Sequence, residues 1–131
     1  MVMFDLDHFK DINDKYGHLA GDAVLAGVGA LMKAVLRGSD VKCRYGGEEF
    51  LIVMPEASLE AARGRAEALR VAMRQLNISH EGQALGQVTI SLGLAMVPQH
   101  GTRVAELIAA ADEALYAAKN GGRDRLVVRG E

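Results

Sequence analysis

An α+β fold is what the sequence predicts: an α/β sandwich whose central sheet is mixed, largely antiparallel and five-stranded, with helices on its faces. Three observations carry this expectation. Strand-like and helix-like segments alternate in the order β, α, α, β, β, α, β, α, β. A Gly-Gly pair between two apolar runs puts a tight hairpin at the centre of that order. The helical segments carry apolar residues at three- and four-residue spacing, the mark of one buried face.

Composition bounds the answer further. A chain of 131 residues is one domain, 1–131, large enough to bury a sizeable core. Its 50% hydrophobic and 24% charged content is ordinary for a globular protein. A net charge of −2 and a pI near 6.1 leave no basic footprint for a nucleic-acid polymer, so any phosphate chemistry must use local cations. The sole cysteine, Cys43, excludes an internal disulfide, and its apolar strand context predicts a small buried core residue. No apolar run approaches the ~18 residues of a membrane span, and no basic-plus-apolar leader precedes the domain, so a soluble, cytoplasmic chain is expected.

Met1–Asp5 reads as a buried strand ending in Asp5 and Asp7, which share a face if the strand persists and otherwise serve a turn or a helix cap. His8–Tyr16 is a short helix with Phe9 and Ile12 apolar and Asp7 placed to cap it. Its free N-terminal N–H groups, with Lys10, make a natural seat for phosphate. Tyr16, Gly17, His18 and Gly21 form a turn. From Gly21 a longer helix runs to about Arg37 on Val24, Val28, Leu31, Met32 and Val35, opened by Asp22, which favours the helix dipole with or without a ligand.

Val41–Tyr45 and Phe50–Met54 are the hairpin strands. Gly46 and Gly47 accept the positive φ of a two-residue turn and leave no side chain to keep a bulky ligand from the backbone. Glu48 and Glu49 stand at the exposed tip, as solvated acids or as part of a site. Ser58 caps a helix to about Leu76, with an inward stripe of Ala62, Ala66, Leu69, Met73 and Leu76. Asn77–Gly86 is a polar loop or hairpin arm. Gln87–Val97 is a strand in which Gly93 marks a bulge or a close approach. Thr102 caps the last helix, whose inward stripe is Val104, Leu107, Ile108, Ala111 and Leu115. Asn120, Gly121 and Gly122 stop it before Arg123, and Asp124–Arg129 is a final strand.

The stretches RYGGEEF (Arg44–Phe50) and FDLDHFKDINDKYGHLAGD (Phe4–Asp22) together resemble the GGDEF-type diguanylate cyclases, in the variant with Glu at the third signature position. The resemblance runs from the first residues to about Val128. It implies a fold similar to the polymerase palm and to class III nucleotide cyclases. Complete members of the family carry a helix and a turn before the first strand. By that comparison this chain is expected to be a trimmed or mis-started fragment, lacking the first helix and any upstream regulatory domain.

The residues themselves point to nucleotide chemistry. Joining the end of the first strand to the hairpin brings Asp5 beside Glu48 and Glu49. Hard oxygen donors without His or Cys suit Mg²⁺ or Mn²⁺ rather than zinc. Lys10, Lys119 and Arg123 supply cations for a triphosphate. Asp22 can accept both N1–H and N2–H of guanine, with Asn13 supporting the base edge, whereas adenine presents no such pair.

The family resemblance implies finer roles at matching positions. Asp5, Glu48 and the Leu6 carbonyl are the implied metal ligands, and Glu48 is the implied helper in deprotonating a ribose 3′-hydroxyl. Glu49 completes the acidic site. Asn13 and Asp22 read guanine, while Phe9 through its backbone, Lys10, Lys119 and Arg123 contact phosphate. The implied reaction joins two GTP molecules into cyclic di-GMP with release of two pyrophosphates, in a homodimer of facing domains. RGSD (Arg37–Asp40) has the RxxD form of the family's product-inhibition site and stands five residues before the Gly pair. Arg at a helix C-terminus is also favourable without a ligand. A different class of function is a non-catalytic cyclic di-GMP receptor using Arg37 and Asp40, or a GTP-binding signalling module. An adenylate cyclase is disfavoured by Asp22.

Overall fold

Every residue of Val2–Leu6 (β1) is buried, which only the middle of a sheet covered on both faces allows. The computed structural model describes all 131 residues. Its other strands are Val41–Arg44 (β2), Glu49–Val53 (β3), Ser79–His80 (β4), Gln83–Ala84 (β5), Ile90–Leu94 (β6) and Leu126–Val128 (β7). Its helices are Phe9–Tyr16 (α1), His18–Val35 (α2), Leu59–Gln75 (α3) and Val104–Asn120 (α4). The main sheet has the order β2-β3-β1-β6-β7. β1 pairs antiparallel with β3 and β6, β2 pairs antiparallel with β3, and β6 pairs parallel with β7. This is the expected mixed, largely antiparallel five-stranded sheet. β4 and β5 form a separate small hairpin within the stretch read as a polar loop or hairpin arm.

Alternation along β1 sorts its side chains into two cores. Val2, Phe4 and Leu6 join the larger core with α2 and α3, whereas Met3 faces the smaller core built on α4. Phe4 stands opposite Phe50, and their rings stack at 4.9 Å, a pairing worth roughly 0.5–1.5 kcal/mol beyond burial. Gly93 is the close approach anticipated from its place in β6. A Cβ there would lie 2.1 Å from the Ala111 carbonyl oxygen and 2.3 Å from the Leu115 nitrogen. The backbone of α4 therefore rests almost directly on β6.

That close seat corrects the stripe expected for α4. The buried residues are Leu107, Ala110, Ala111, Ala114, Leu115 and Ala118, while Val104 is 66% exposed. Leu107, Ala111 and Leu115 of the expected stripe are buried, and Ala110, Ala114 and Ala118 join them because the separation is so small. Arg103, not Thr102, is the N-cap, and Glu106 accepts the backbone N–H groups of Thr102 at 3.2 Å and Arg103 at 3.0 Å. These bonds hold the Glu106 carboxyl below the usual range.

Other boundaries move for equally local reasons. α2 starts at His18 because one residue, Gly17 at φ 93°, is enough to turn the chain out of α1. Gly21 and Asp22 consequently lie inside the helix. Cys43 is exposed, not core, because β2 is the sheet's edge strand and none of its residues is buried. β6 covers Ile90–Leu94, five residues of the longer apolar run. Ser58 caps α3 as expected, accepting from the Ala61 nitrogen at 3.1 Å. α2, with 18 residues and a mean hydropathy of 1.3, is long and apolar enough to cross a membrane, although no uninterrupted apolar run marks it in the sequence. Its buried stripe of Ala20, Gly21, Val24, Val28 and Met32 packs into the domain.

Gly93→Ala is expected to lower unfolding free energy by about 3 kcal/mol or more, since backbone rather than a mobile side chain opposes the new methyl. Urea denaturation of the variant beside the wild type measures this directly, and an unchanged midpoint contradicts the close seat of α4.

Candidate active site

The face that Met3 presents to α4 is also the face of Asp5. In register, Asp5 stands between Glu49 of β3 and Ser91 of β6. Lys119, in the last turn of α4, donates to Asp5 Oδ2. Asp5 is 4% exposed, and its second oxygen, Oδ1, is buried with no hydrogen-bond partner. An orphaned carboxylate oxygen of this kind is costly unless something else fills it.

Asp7 does not cap α1. The N-cap position belongs to His8, in the left-handed region at φ 58° and without a side-chain cap bond. Asp7 instead accepts from Thr89 Oγ1 at 2.7 Å, Ser91 Oγ at 2.7 Å and the Asp124 nitrogen at 3.0 Å. Buried hydroxyls on β6 and beside it outcompete the helix terminus for this carboxylate. The first backbone bond of α1 runs from Ile12 to His8, so the N–H groups of Phe9, Lys10 and Asp11 stay open at the helix start.

The central hairpin forms, with Val41 opposite Val53 and Arg44 opposite Phe50. Its turn differs from the expected one. Tyr45–Glu48 form a four-residue loop closed by Tyr45 and Gly46 N–H donation to the Glu49 carbonyl. Neither Gly46 nor Gly47 has a positive φ, and a Cβ on either would meet nothing within 4 Å. The fold by itself therefore does not demand glycine at these two positions. Arg44, unremarked in the sequence, pins the loop by donating from its guanidinium to the Gly47 carbonyl at 3.0 and 2.7 Å.

Two adjoining clefts open between this loop and α1. One is lined by Asp5, Leu6, Phe9, Lys10, Glu48, Lys119 and Arg123 among others. The second is lined by Phe9, Lys10, Asn13, His18, Asp22 and Glu48, with Arg44, Gly47 and Leu25. Sharing Phe9, Lys10 and Glu48, the two make one continuous groove. Asn13 reaches it because α2 has no side chain at Gly21: a Cβ there would lie 1.9 Å from Asn13 Oδ1. His18, read in sequence as a turn or surface residue, belongs to the groove wall. Gly46 is absent from both linings.

Glu49 stands apart from its neighbour. It lines a different, mostly apolar groove against α4 with Met3, Tyr45, Ile108 and Asp112. Its charge still acts on Glu48. The Glu48 carboxyl is pushed above its usual value by partial burial first and by Asp5 second, with Glu49 adding to the shift and Lys119 opposing it.

The donor set suits a hard divalent cation. The orphaned Asp5 Oδ1, the nearby Glu48 carboxylate and the Leu6 carbonyl supply oxygen alone. No three acidic, histidine or cysteine side chains converge closely enough to form a metal cage by themselves. Asp5 stands beside Glu49 in register and near Glu48, as expected, but the three side chains do not converge on one point. Two carboxylates and a carbonyl fit an ion that keeps its remaining positions for water and phosphate.

Arg37 and Asp40 are engaged with each other. The Asp40 side chain is fully buried and accepts the Arg37 backbone N–H at 2.9 Å and its guanidinium at 3.2 Å. Arg37 also donates to the Pro55 carbonyl at 2.9 Å, and Arg65 approaches Asp40 at 3.5 Å.

Comparison with known proteins gives this geometry a family. The family model described as "Diguanylate cyclase, GGDEF domain" matches residues 1–125. The chain is 41% identical over 128 residues to the probable diguanylate cyclase DgcE of Escherichia coli K12, covering 98% of this chain and 12% of that protein. Among solved structures, the GGDEF domain of DgcB from Caulobacter crescentus in complex with c-di-GMP superposes with a TM-score of 0.92 at 33% identity, covering 99% of this chain and 77% of that one. The active GGEEF domain of a diguanylate cyclase from Vibrio cholerae superposes with a TM-score of 0.90 at 30% identity, covering 99% and 81%. The chain spans between 12% and 38% of the length of the first curated relatives it matches. With the family model matched over residues 1–125, the chain belongs to the GGDEF-domain diguanylate cyclase family.

Proposed function

We propose that this domain condenses two GTP molecules into cyclic di-GMP, working as a pair of facing copies. One observation carries the reading: a single groove joins a base-reading end, Asn13 and Asp22, to an acidic and cationic end, Asp5, Glu48, Lys119 and Arg123. Asp22 accepts two guanine N–H groups, and Asn13 orients the base edge. Lys10, Lys119, Arg123 and the open N–H groups at the start of α1 hold the triphosphate. Asp5, Glu48 and the Leu6 carbonyl would hold Mg²⁺ or Mn²⁺, whose chemistry when bound is neutralisation of phosphate charge. The uncluttered surface over Gly46 and Gly47 admits the nucleotide to the loop.

Glu48 is placed to take the proton of a ribose 3′-hydroxyl. Its oxygen attacks the α-phosphorus of the GTP held by the facing domain, and the bond from that phosphorus to pyrophosphate breaks. A second attack in the opposite sense closes the ring and releases the second pyrophosphate. Because attacking and attacked groups sit on different nucleotides, one groove alone cannot complete the product. Glu49 tunes Glu48 by charge from outside the groove. Product inhibition at Arg37 and Asp40 is part of the same proposal and requires opening their ion pair, of which Arg37 is the accessible half. GTP supply makes the cytoplasm the location of the reaction.

Product formation from GTP and Mg²⁺ across protein concentrations tests the proposal. Cyclic di-GMP should rise more than linearly with protein, and Glu48→Gln should lower the rate about 10²-fold or more. A rate per chain that is constant on dilution, or a fully active Glu48→Gln, overturns it.

The raised Glu48 pKa carries a stability signature of opposite sign. The fold favours the protonated carboxyl, so above the raised pKa it holds the charge at a cost, and below the ordinary carboxylate value of 4.5 the cost is gone. Glu48→Gln should therefore melt higher than the ligand-free wild type at pH 7. The difference should shrink as pH falls through the Glu48 titration, and a scan of melting temperature against pH checks this.

A further inference from the structure

Arg123 is the groove's cation with the least ordinary backbone. It follows two glycines at the end of α4, and both it and Asp124 lie in the left-handed region, at φ 64° and 46°. Residues with side chains rarely hold that conformation unless their surroundings impose it. The surroundings here are specific. The Asp124 nitrogen donates to Asp7 Oδ2, and Asp7 is itself 5% exposed and fixed by the Thr89 and Ser91 hydroxyls. Behind the turn, Arg70 of α3 donates to the Asp124 carbonyl at 3.3 Å and to its carboxylate at 2.9 Å, and Arg74 reaches the other carboxylate oxygen at 3.2 Å. Neither Arg70 nor Asp124 lines the groove, whereas Asp7 lines its phosphate end.

We propose that Asp7, Asp124 and Arg70 form a positioning clasp that holds Arg123 at the phosphate end of the groove, so that nucleotide phosphate affinity depends on two side chains, Asp124 and Arg70, that stand outside the groove. The proposal rests on the reading that the groove takes GTP. Asp7 fixes the turn from the end of β1, the strand that also carries Asp5. Arg70 fixes it from α3, on the far side of the turn. The clasp thus ties the acidic end of the site and the arginine to one rigid frame, and the left-handed turn lets Arg123 leave the axis of α4 to face the groove. Arg123 gains little from its own neighbours: its nitrogen caps α4 at the Ala118 carbonyl, and its carbonyl accepts from Arg125. Its direction is inherited from Asp124.

Arg70→Met and Asp7→Asn test the clasp, with Arg123→Ala as the reference and calorimetric affinities for GTP and guanosine as the readout. Loss of one charged hydrogen-bond partner is expected to weaken GTP binding about tenfold while leaving guanosine binding unchanged. In the Arg123→Ala background Arg70→Met should cost nothing further, as an effect routed through Arg123 requires. Hydrogen exchange at the Asp124 amide should quicken in Asp7→Asn. Equal losses for GTP and guanosine, or a Arg70→Met effect that persists without Arg123, would overturn the clasp and leave the nucleotide reading standing. A wild type that binds no GTP overturns the nucleotide reading, and the clasp's role with it.

Discussion

The ion pair between Asp5 and Lys119 joins the centre of the sheet to the helix that covers it, and the site depends on that junction. A carboxylate this buried needs a nearby positive charge, because desolvation of an unpaired charge is too costly for a folded domain of ordinary stability. Lys119 meets that need with one Asp5 oxygen and leaves the other unfilled. Its reach is possible because Gly93 lets α4 lie against β6 without an intervening side chain. Packing and chemistry are therefore one arrangement: the helix seat that completes the smaller core also delivers the cation to the acid.

The groove inherits its polarity from this junction. At one end, acid and cation are balanced against each other around a buried oxygen. At the other, Asn13 and Asp22 come from two helices separated by a single glycine and brought together by another, Gly21. Glu48 lines both clefts and feels the charges of the acidic end. Its carboxyl is held above the usual range by burial and by Asp5, a state that is unfavourable for the empty fold and suited to a group that accepts a proton.

Much of this was legible in the sequence because the signals were local. The Gly93 interruption of an apolar run, the Ser58 cap and the alternating strands each have one dominant physical cause. The adjacency of Asp5 and Glu48 followed from joining a strand end to a hairpin. What escaped depended on the finished fold. Cys43 looked buried because its neighbours are apolar, but strand order made β2 an edge. Val104 matched a helical stripe yet lies exposed in the first turn of α4, while the close seat added Ala110, Ala114 and Ala118 to the buried face. Asp7 stood where a cap belongs, and only β6, more than eighty residues away, revealed Thr89 and Ser91 as its partners. Gly46 and Gly47 suggested a left-handed turn, whereas the loop uses ordinary backbone angles and leaves open surface instead.

Glu48 and Glu49 show how far adjacency in sequence can mislead about a site: one residue apart, they line different grooves. Paramagnetic broadening of backbone amide signals by Mn²⁺ with GTP, against a Mg²⁺ reference, tests the central assignment most directly. Broadening strongest at Leu6 and Glu48, and weaker at Ile108 and Asp112, is the result that a nucleotide and ion at the Asp5 junction require. Broadening strongest at Ile108 and Asp112, or no saturable effect at Leu6, would contradict it.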